Sequence, residues 1–275
     1  MININNMMNK ITKLAVVTLL LVSLPAMASD MPDMQGGSAP ADARDPHAYA
    51  DGQDFGPLGH PHMGDDEIMS GVWFNRLERV QANNDTYANA YELRGWVGKD
   101  YDKLVLKAEG DVDEGKLHEA RTELFWSHAN SAFWDMQLGM RNDSGVAPAQ
   151  NWLAAGVQGL APYWFEIDAT AYVADQGRTA FRLSAEYELL FTQKLILQPR
   201  FEANFYGKAD VERETGAGLS NALAGLRLRY EFSRQFAPYI GIDWLSKFGE
   251  TADMATVAGA SVHDTNVVAG LRMWF

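Results

Sequence analysis

The sequence predicts an all-β fold: a transmembrane antiparallel up-and-down β-barrel of about twelve strands, preceded by a signal peptide and a disordered periplasmic segment. Three observations predict it. Apolar residues recur at every second position from about residue 68 onward. The connections between these segments alternate between long and short. Aromatic side chains gather at the segment ends.

Residues 1–28 read as the signal peptide. Lys10 and Lys13 supply the positive flank, Leu14 to Leu24 the apolar core, and Ala26-Met27-Ala28 the small-x-small cleavage pattern. The apolar run is too short to span a bilayer comfortably. Cleavage removes two positive charges and no negative ones, so the net charge of −13 becomes −15.

Residues 29–67 have no periodicity and are dominated by Pro, Gly, Asp and Ala. Such a stretch buries too little apolar surface to offset the entropy of ordering it. It reads as a disordered periplasmic segment.

Residues 68–275 read as the barrel, with segments near 68–79, 87–98, 102–110, 119–128, 133–141, 151–158, 163–173, 178–189, 194–205, 220–232, 236–246 and 265–275. In 178–189, Phe181, Leu183, Ala185, Tyr187 and Leu189 oppose Arg182, Ser184, Glu186 and Glu188. Successive strand side chains point to opposite faces, so this is a strand pattern and not a helical one. The first segment is the least regular.

The odd connections are often long, at 111–118, 142–150, 206–219 and 247–264, and these read as outer loops. The even ones, 99–101, 129–132, 159–162, 190–193 and 233–235, read as short periplasmic turns. This is the alternation of an outer-membrane barrel. Trp73, Trp96, Tyr101, Trp126, Trp134, Trp152, Tyr163, Trp164 and Trp244 sit near segment ends, where interfacial girdles belong. The last strand closes on Phe275, as barrel-assembly clients usually do.

Composition narrows the function. At 47% hydrophobic and 21% charged, the chain as a whole is neither disordered nor collagen-like. The absence of Cys excludes disulfides, thiolate zinc sites, iron–sulfur clusters and cysteine nucleophiles. The acidic balance argues against nucleic acid as a partner, because phosphates want a basic face. The expected partner is instead outer-membrane lipid.

Candidate metal ligands lie in the N-terminal segment: His47, His60, His62, Met63, Met31 and Met34, with His60-Pro61-His62-Met63 as the core. Imidazole suits Cu(II) and thioether selects Cu(I). A metal handler without cysteine in an oxidising compartment would use this pair of ligand types. The competing reading is a solvated linker with incidental histidines.

The predicted lumen face carries interleaved acids and arginines, among them Glu92, Arg94, Lys107, Glu109, Arg121, Glu123, Glu166, Arg182, Glu186 and Glu202. One account is interior filling by paired charges. The other is a polar path with weak cation sites, for which Glu109, Glu123, Glu166 and Glu186 are the candidates. The near balance of signs argues against a strongly cation-selective pore. Asp111, Asp113 and Gly115 resemble the start of a calcium loop, but its twelfth position is Thr122 where Glu is needed. They read as an acidic outer loop.

No enzyme is expected. Ser127 and His128 are adjacent and point to opposite faces, His263 falls in a predicted loop and His118 at a loop-to-strand junction. There is no G-x-S-x-G elbow. No catalytic residue is assigned.

Several long stretches then resemble the copper resistance protein B (CopB/PcoB) family of Gram-negative bacteria: DPHAYADGQDFGP (45–57), GKDYDKLVLKAEGDVDEGKLHEARTELFWSHA (98–129), GVQGLAPYWFEIDATAYVADQGRTAFRLSAEYELLFTQKLILQPRFEANFYGK (156–208) and GLRLRYEFSRQFAPYIGIDW (225–244). The resemblance implies an outer-membrane barrel, copper as the bound ion in either oxidation state, a role in copper tolerance by capture, sequestration or export, and a periplasmic multicopper oxidase as a partner. Family members often carry a longer Met/His tract than the one here. A structural barrel or passive porin with an indirect copper role is the rival reading, and a barrel hydrolase the third.

Overall fold

The structure, a computed structural model, describes residues 67–82, 87–113 and 115–275. The expected signal peptide (1–28) and all six N-terminal ligand candidates (Met31, Met34, His47, His60, His62 and Met63) lie outside the described residues.

The chain forms one antiparallel sheet. Its strands are β1 (Met69–Gln81), β2 (Tyr87–Gly98), β3 (Asp102–Asp113), β4 (Lys116–Ala129), β5 (Trp134–Gly145), β6 (Gln150–Ala161) and β7 (Phe165–Val173). They continue as β8 (Thr179–Glu186), β9 (Leu189–Leu190), β10 (Leu195–Tyr206), β11 (Gly218–Tyr230), β12 (Phe236–Lys247) and β13 (His263–Trp274). Both β8 and the two-residue β9 pair with β10, so they are one arm interrupted at Tyr187–Glu188. The barrel therefore has twelve arms.

Each arm pairs with its sequence neighbours, and β1 pairs with β13, so the sheet closes and keeps no free edge. The seam extends to the last residue: the Phe275 N–H donates to the Val72 carbonyl at 2.9 Å and the Val72 N–H to the Phe275 carbonyl at 3.0 Å.

The period-two pattern maps onto the two faces of the wall. On β3, β4 and β5 the rows Leu104–Trp126–Leu138 and Leu106–Leu124–Met140 are in register across three strands. All but Leu106 are substantially exposed, as a lipid-facing surface must be. The alternate residues face inward. Val105, Phe125, Trp152, Tyr172 and Ala180 form a buried apolar cluster, and Glu123, Ser127, Gln137, Arg141 and Thr170 are buried polar neighbours.

Several expected boundaries are corrected. The 111–118 connection is not an outer loop: β3 runs to Asp113 and β4 starts at Lys116, with Asp111 opposite Glu119 in the ladder. Pairing continues to Asp113 opposite Lys116 across a register shift that leaves His118 without an opposite residue. The acidic-loop reading of Asp111 and Asp113 falls with it, and His118 lies within β4. The strand expected from residue 163 begins at Phe165, because Tyr163 and Trp164 both have φ of 67° and form the turn after Pro162. His263 is the first residue of β13 rather than a loop residue.

The longest connections are 207–217 and 248–262. The second contains helix α1 (Gly249–Val257), which no strand pattern signalled. Its Thr251 and Ala255, spaced i, i+4, are buried on one face. Thr251 Oγ1 accepts a 2.7 Å bond from the Gly216 N–H and lies 2.9 Å from Ser220 Oγ, which ties the two long loops together.

Candidate functional site

The lumen is the part of the described barrel where polar chemistry concentrates, and it is organised in three levels. The outermost is a packed knot. Arg141 forks onto Asp143, with Nε to Oδ1 at 2.6 Å and Nη2 to Oδ2 at 2.9 Å. Trp152 Nε1 donates to the same carboxylate at 2.9 Å. The Arg141 guanidinium also lies 4.6 Å from the Tyr172 ring centre, within cation–π range. The Tyr172 hydroxyl donates to Glu123 Oε1 at 2.6 Å.

The middle level is an arginine clamp. Arg182 Nη2 reaches Glu109 at 2.9 Å and Glu202 at 2.8 Å, bridging acids from two distant strands. Arg121 holds the other Glu109 oxygen at 2.8 Å. Arg200 Nη2 donates to Glu202 at 2.7 Å, and Arg76 Nε to Glu92 at 2.6 Å. Glu92, Glu109 and Glu202 each have a guanidinium partner, and Asp168 in the same row is paired with the Lys107 ammonium, so these charges are compensated in place. The space left here is a cavity of about 110 Å³.

Towards the short-turn end the lumen opens into a cavity of about 470 Å³, whose lining includes Trp164, Glu166, Glu186, Glu188, Arg200 and Arg272. Glu188 is held by Arg229 and Arg272, each at 2.8 Å. Glu186 and Glu166 face each other across β7 and β8. Glu186 Oε2 accepts from Gln198 at 2.7 Å, and its other oxygen is 3.5 Å from Arg200. Glu166 accepts no hydrogen bond and joins no ion pair among the described residues, and its side chain is exposed to the cavity.

The four lumen carboxylates named from sequence therefore separate. Glu109 is clamped by arginines and Glu123 is buried against Tyr172, while Glu166 and Glu186 line the open end. Sequence reasoning missed Arg76, Glu78 and Asp143. A register shift between Phe74 and Arg76 breaks the alternation in β1, which hides Arg76 and Glu78. Buried Glu78 is nonetheless bound by Arg227 Nε at 2.7 Å, across the closing seam.

The barrel histidines stand apart. His118, His128 and His263 lie on the outer wall or rim, and among the described residues no three His, Cys, Asp or Glu side chains converge as a metal-binding group.

Comparison with known proteins follows the same outline. The family model described as "Copper resistance protein B precursor (CopB)" matches residues 68–275. The "Copper resistance protein B homolog" of Pseudomonas syringae pv. tomato is 42% identical over 265 residues, covering 91% of this chain and 90% of that protein. The Escherichia coli "Copper resistance protein B" is also 42% identical, over 221 residues, covering 80% and 74%. Among solved structures, the NanC porin is similar with a TM-score of 0.50 at 10% identity, over 74% of this chain and 99% of that one. That likeness concerns the fold alone. The chain belongs to the copper resistance protein B family, and it is an outer-membrane β-barrel.

Proposed function

We propose that this member of the family supports copper tolerance by capturing periplasmic copper in the segment before the barrel. The observation that carries the reading is the 42% identity to two copper resistance proteins over most of the chain. The chemistry of the donors supports it. His60, His62 and Met63, with His47, Met31 and Met34, combine imidazole and thioether in a chain without cysteine. The barrel's own histidines are dispersed, which favours the N-terminal tract as the capture point.

Copper here is cargo. Copper that enters the barrel from the short-turn end meets Glu166 and Glu186 before the arginine-clamped Glu109 and the tyrosine-bound Glu123. The first pair lines the open cavity; of the second, Glu109 is bound by two arginines and Glu123 is buried. The barrel is read as non-catalytic, and a periplasmic multicopper oxidase is the proposed partner that acts on the same copper.

Copper titration of the purified mature protein, beside a version lacking residues 29–67, tests this. Saturable binding that disappears with the deletion is the expected result. Binding retained in the deleted form would move the site into the barrel, with Glu166 and Glu186 as the next variants. No saturable binding in either would leave a passive barrel with an indirect copper role. A general esterase assay on the same preparation is expected to show no turnover.

A further inference from the structure

The outer wall carries a polar group where a lipid-facing surface should be apolar. On the lipid-facing side of β3, β4 and β5, the row Leu104–Trp126–Leu138 is followed, one step towards the short turns, by Asp102–His128–Met136. Tyr101, exposed beside it, and Trp126 mark this level as the aromatic belt at the headgroups. A carboxylate and an imidazole therefore stand at the point where the apolar band meets the headgroup layer.

They are held there as a unit. Asp102 Oδ1 accepts from Trp126 Nε1 at 2.9 Å and lies 2.9 Å from His128 Nδ1. The Trp126 and His128 rings are 5.7 Å apart. The bond to Asp102 orients the imidazole and leaves Nε2 turned away from the carboxylate. Both bonds fall on one Asp102 oxygen, so the other keeps its lone pairs. Both side chains stay about half exposed, at 43% for His128 and 53% for Asp102. The site thus offers one anionic acceptor and one imidazole nitrogen, side by side, to whatever lies against the wall.

What lies against the wall at this height is the headgroup layer of the periplasmic leaflet. We infer that Asp102 and His128 form a binding site for a phospholipid headgroup bearing a primary ammonium, of the phosphatidylethanolamine class. The ammonium donates to the free Asp102 oxygen and sits beside the Trp126 face, while His128, whose Nδ1–H is given to the other Asp102 oxygen, holds that carboxylate in place. A choline headgroup has no N–H to donate to Asp102. A glycerol headgroup has no cation to place there. The row Leu104–Trp126–Leu138 supplies the surface for the acyl chains. This site is independent of the copper reading and sits on the opposite face of the wall from the lumen.

The test uses the mature protein in detergent micelles doped in turn with phosphatidylethanolamine, phosphatidylcholine and phosphatidylglycerol, with a chelator present to remove metal. Native mass spectrometry counts the retained lipid, and unheated gel mobility confirms the folded barrel. Retention of the ethanolamine lipid is expected to exceed the other two by about threefold, the scale of a half-exposed charge contact. Asp102→Asn, which keeps the shape but removes the charge, is expected to abolish that preference with the folded mobility unchanged. Equal retention of the three lipids by the unaltered protein overturns the proposal. So does a preference that survives in Asp102→Asn.

Discussion

The middle of the lumen and its short-turn end use the same residue types to opposite effect. In the middle, Arg182 bridges Glu109 and Glu202, and Arg121 and Arg200 complete the clamp. At the short-turn end, Glu166 faces Glu186 with no cation bound to it, beside about 470 Å³ of open space. Register alone does not separate them, because Glu92 faces Glu109 in the middle just as Glu166 faces Glu186 at the end. The difference lies in the arginines. Arg76, Arg121 and Arg182 bind the first pair, whereas Arg200 stands 3.5 Å from Glu186 and Glu166 has no cation partner among the described residues. The first arrangement closes a wall; the second leaves negative charge accessible from the periplasm.

The comparison breaks most readily at Arg182. Replacing it by Met strips one guanidinium from two acids in a nearly dry site, and the expected cost is about 3 kcal/mol or more, read as a lower urea midpoint of the heat-modifiable band. A loss below about 1 kcal/mol would mean that water already screens the clamp.

Tyr172→Phe tests the outer knot with a smaller cut. It removes one 2.6 Å bond to buried Glu123 and leaves the ring under Arg141. The expected destabilisation is about 1.5–3 kcal/mol, the range for a hydrogen bond to a charged group. Equality with the unaltered protein would show that Glu123 finds another donor.

Glu166→Gln should change stability least, within about 0.5 kcal/mol, because nothing in the described barrel is bonded to that carboxylate. A cost as large as that of Arg182→Met would erase the distinction between the two ends.

Most of the wall was legible in the sequence, because one face must meet lipid and the other must not. In β8, Phe181 and Leu183 against Arg182 and Ser184 need no further information to be read as a strand. Two places resisted. The bulge after Phe74 shifts the parity of β1, so Arg76 and Glu78 could not be assigned to a face from spacing. Helix α1 is a short segment whose only buried side chains, Thr251 and Ala255, are small.

The lumen's composition was also readable, but its pairing was not. Arg182 finds Glu109 73 residues away, and Arg227 finds Glu78 149 residues away. Those partners are chosen by ring closure and not by local pattern. Nor does alternation distinguish Glu109 from Glu166: both are inward-facing acids on a strand, and only the neighbours across the barrel separate a clamped carboxylate from an open one. His60, His62 and Met63 lie outside the described residues, so the capture point rests on donor chemistry and kinship.

The seam between Val72 and Phe275 has a consequence for how the protein comes into being. The first and last strands complete each other, and the final residue itself is a rung of that ladder. A chain cut short in synthesis or trimmed in transit cannot make the join. It keeps two bare edges, with unpaired amides and carbonyls facing hydrocarbon. The two ends of the barrel sequence are thus mutual conditions: neither the first strand nor the last has its full set of hydrogen-bond partners until the other is in place.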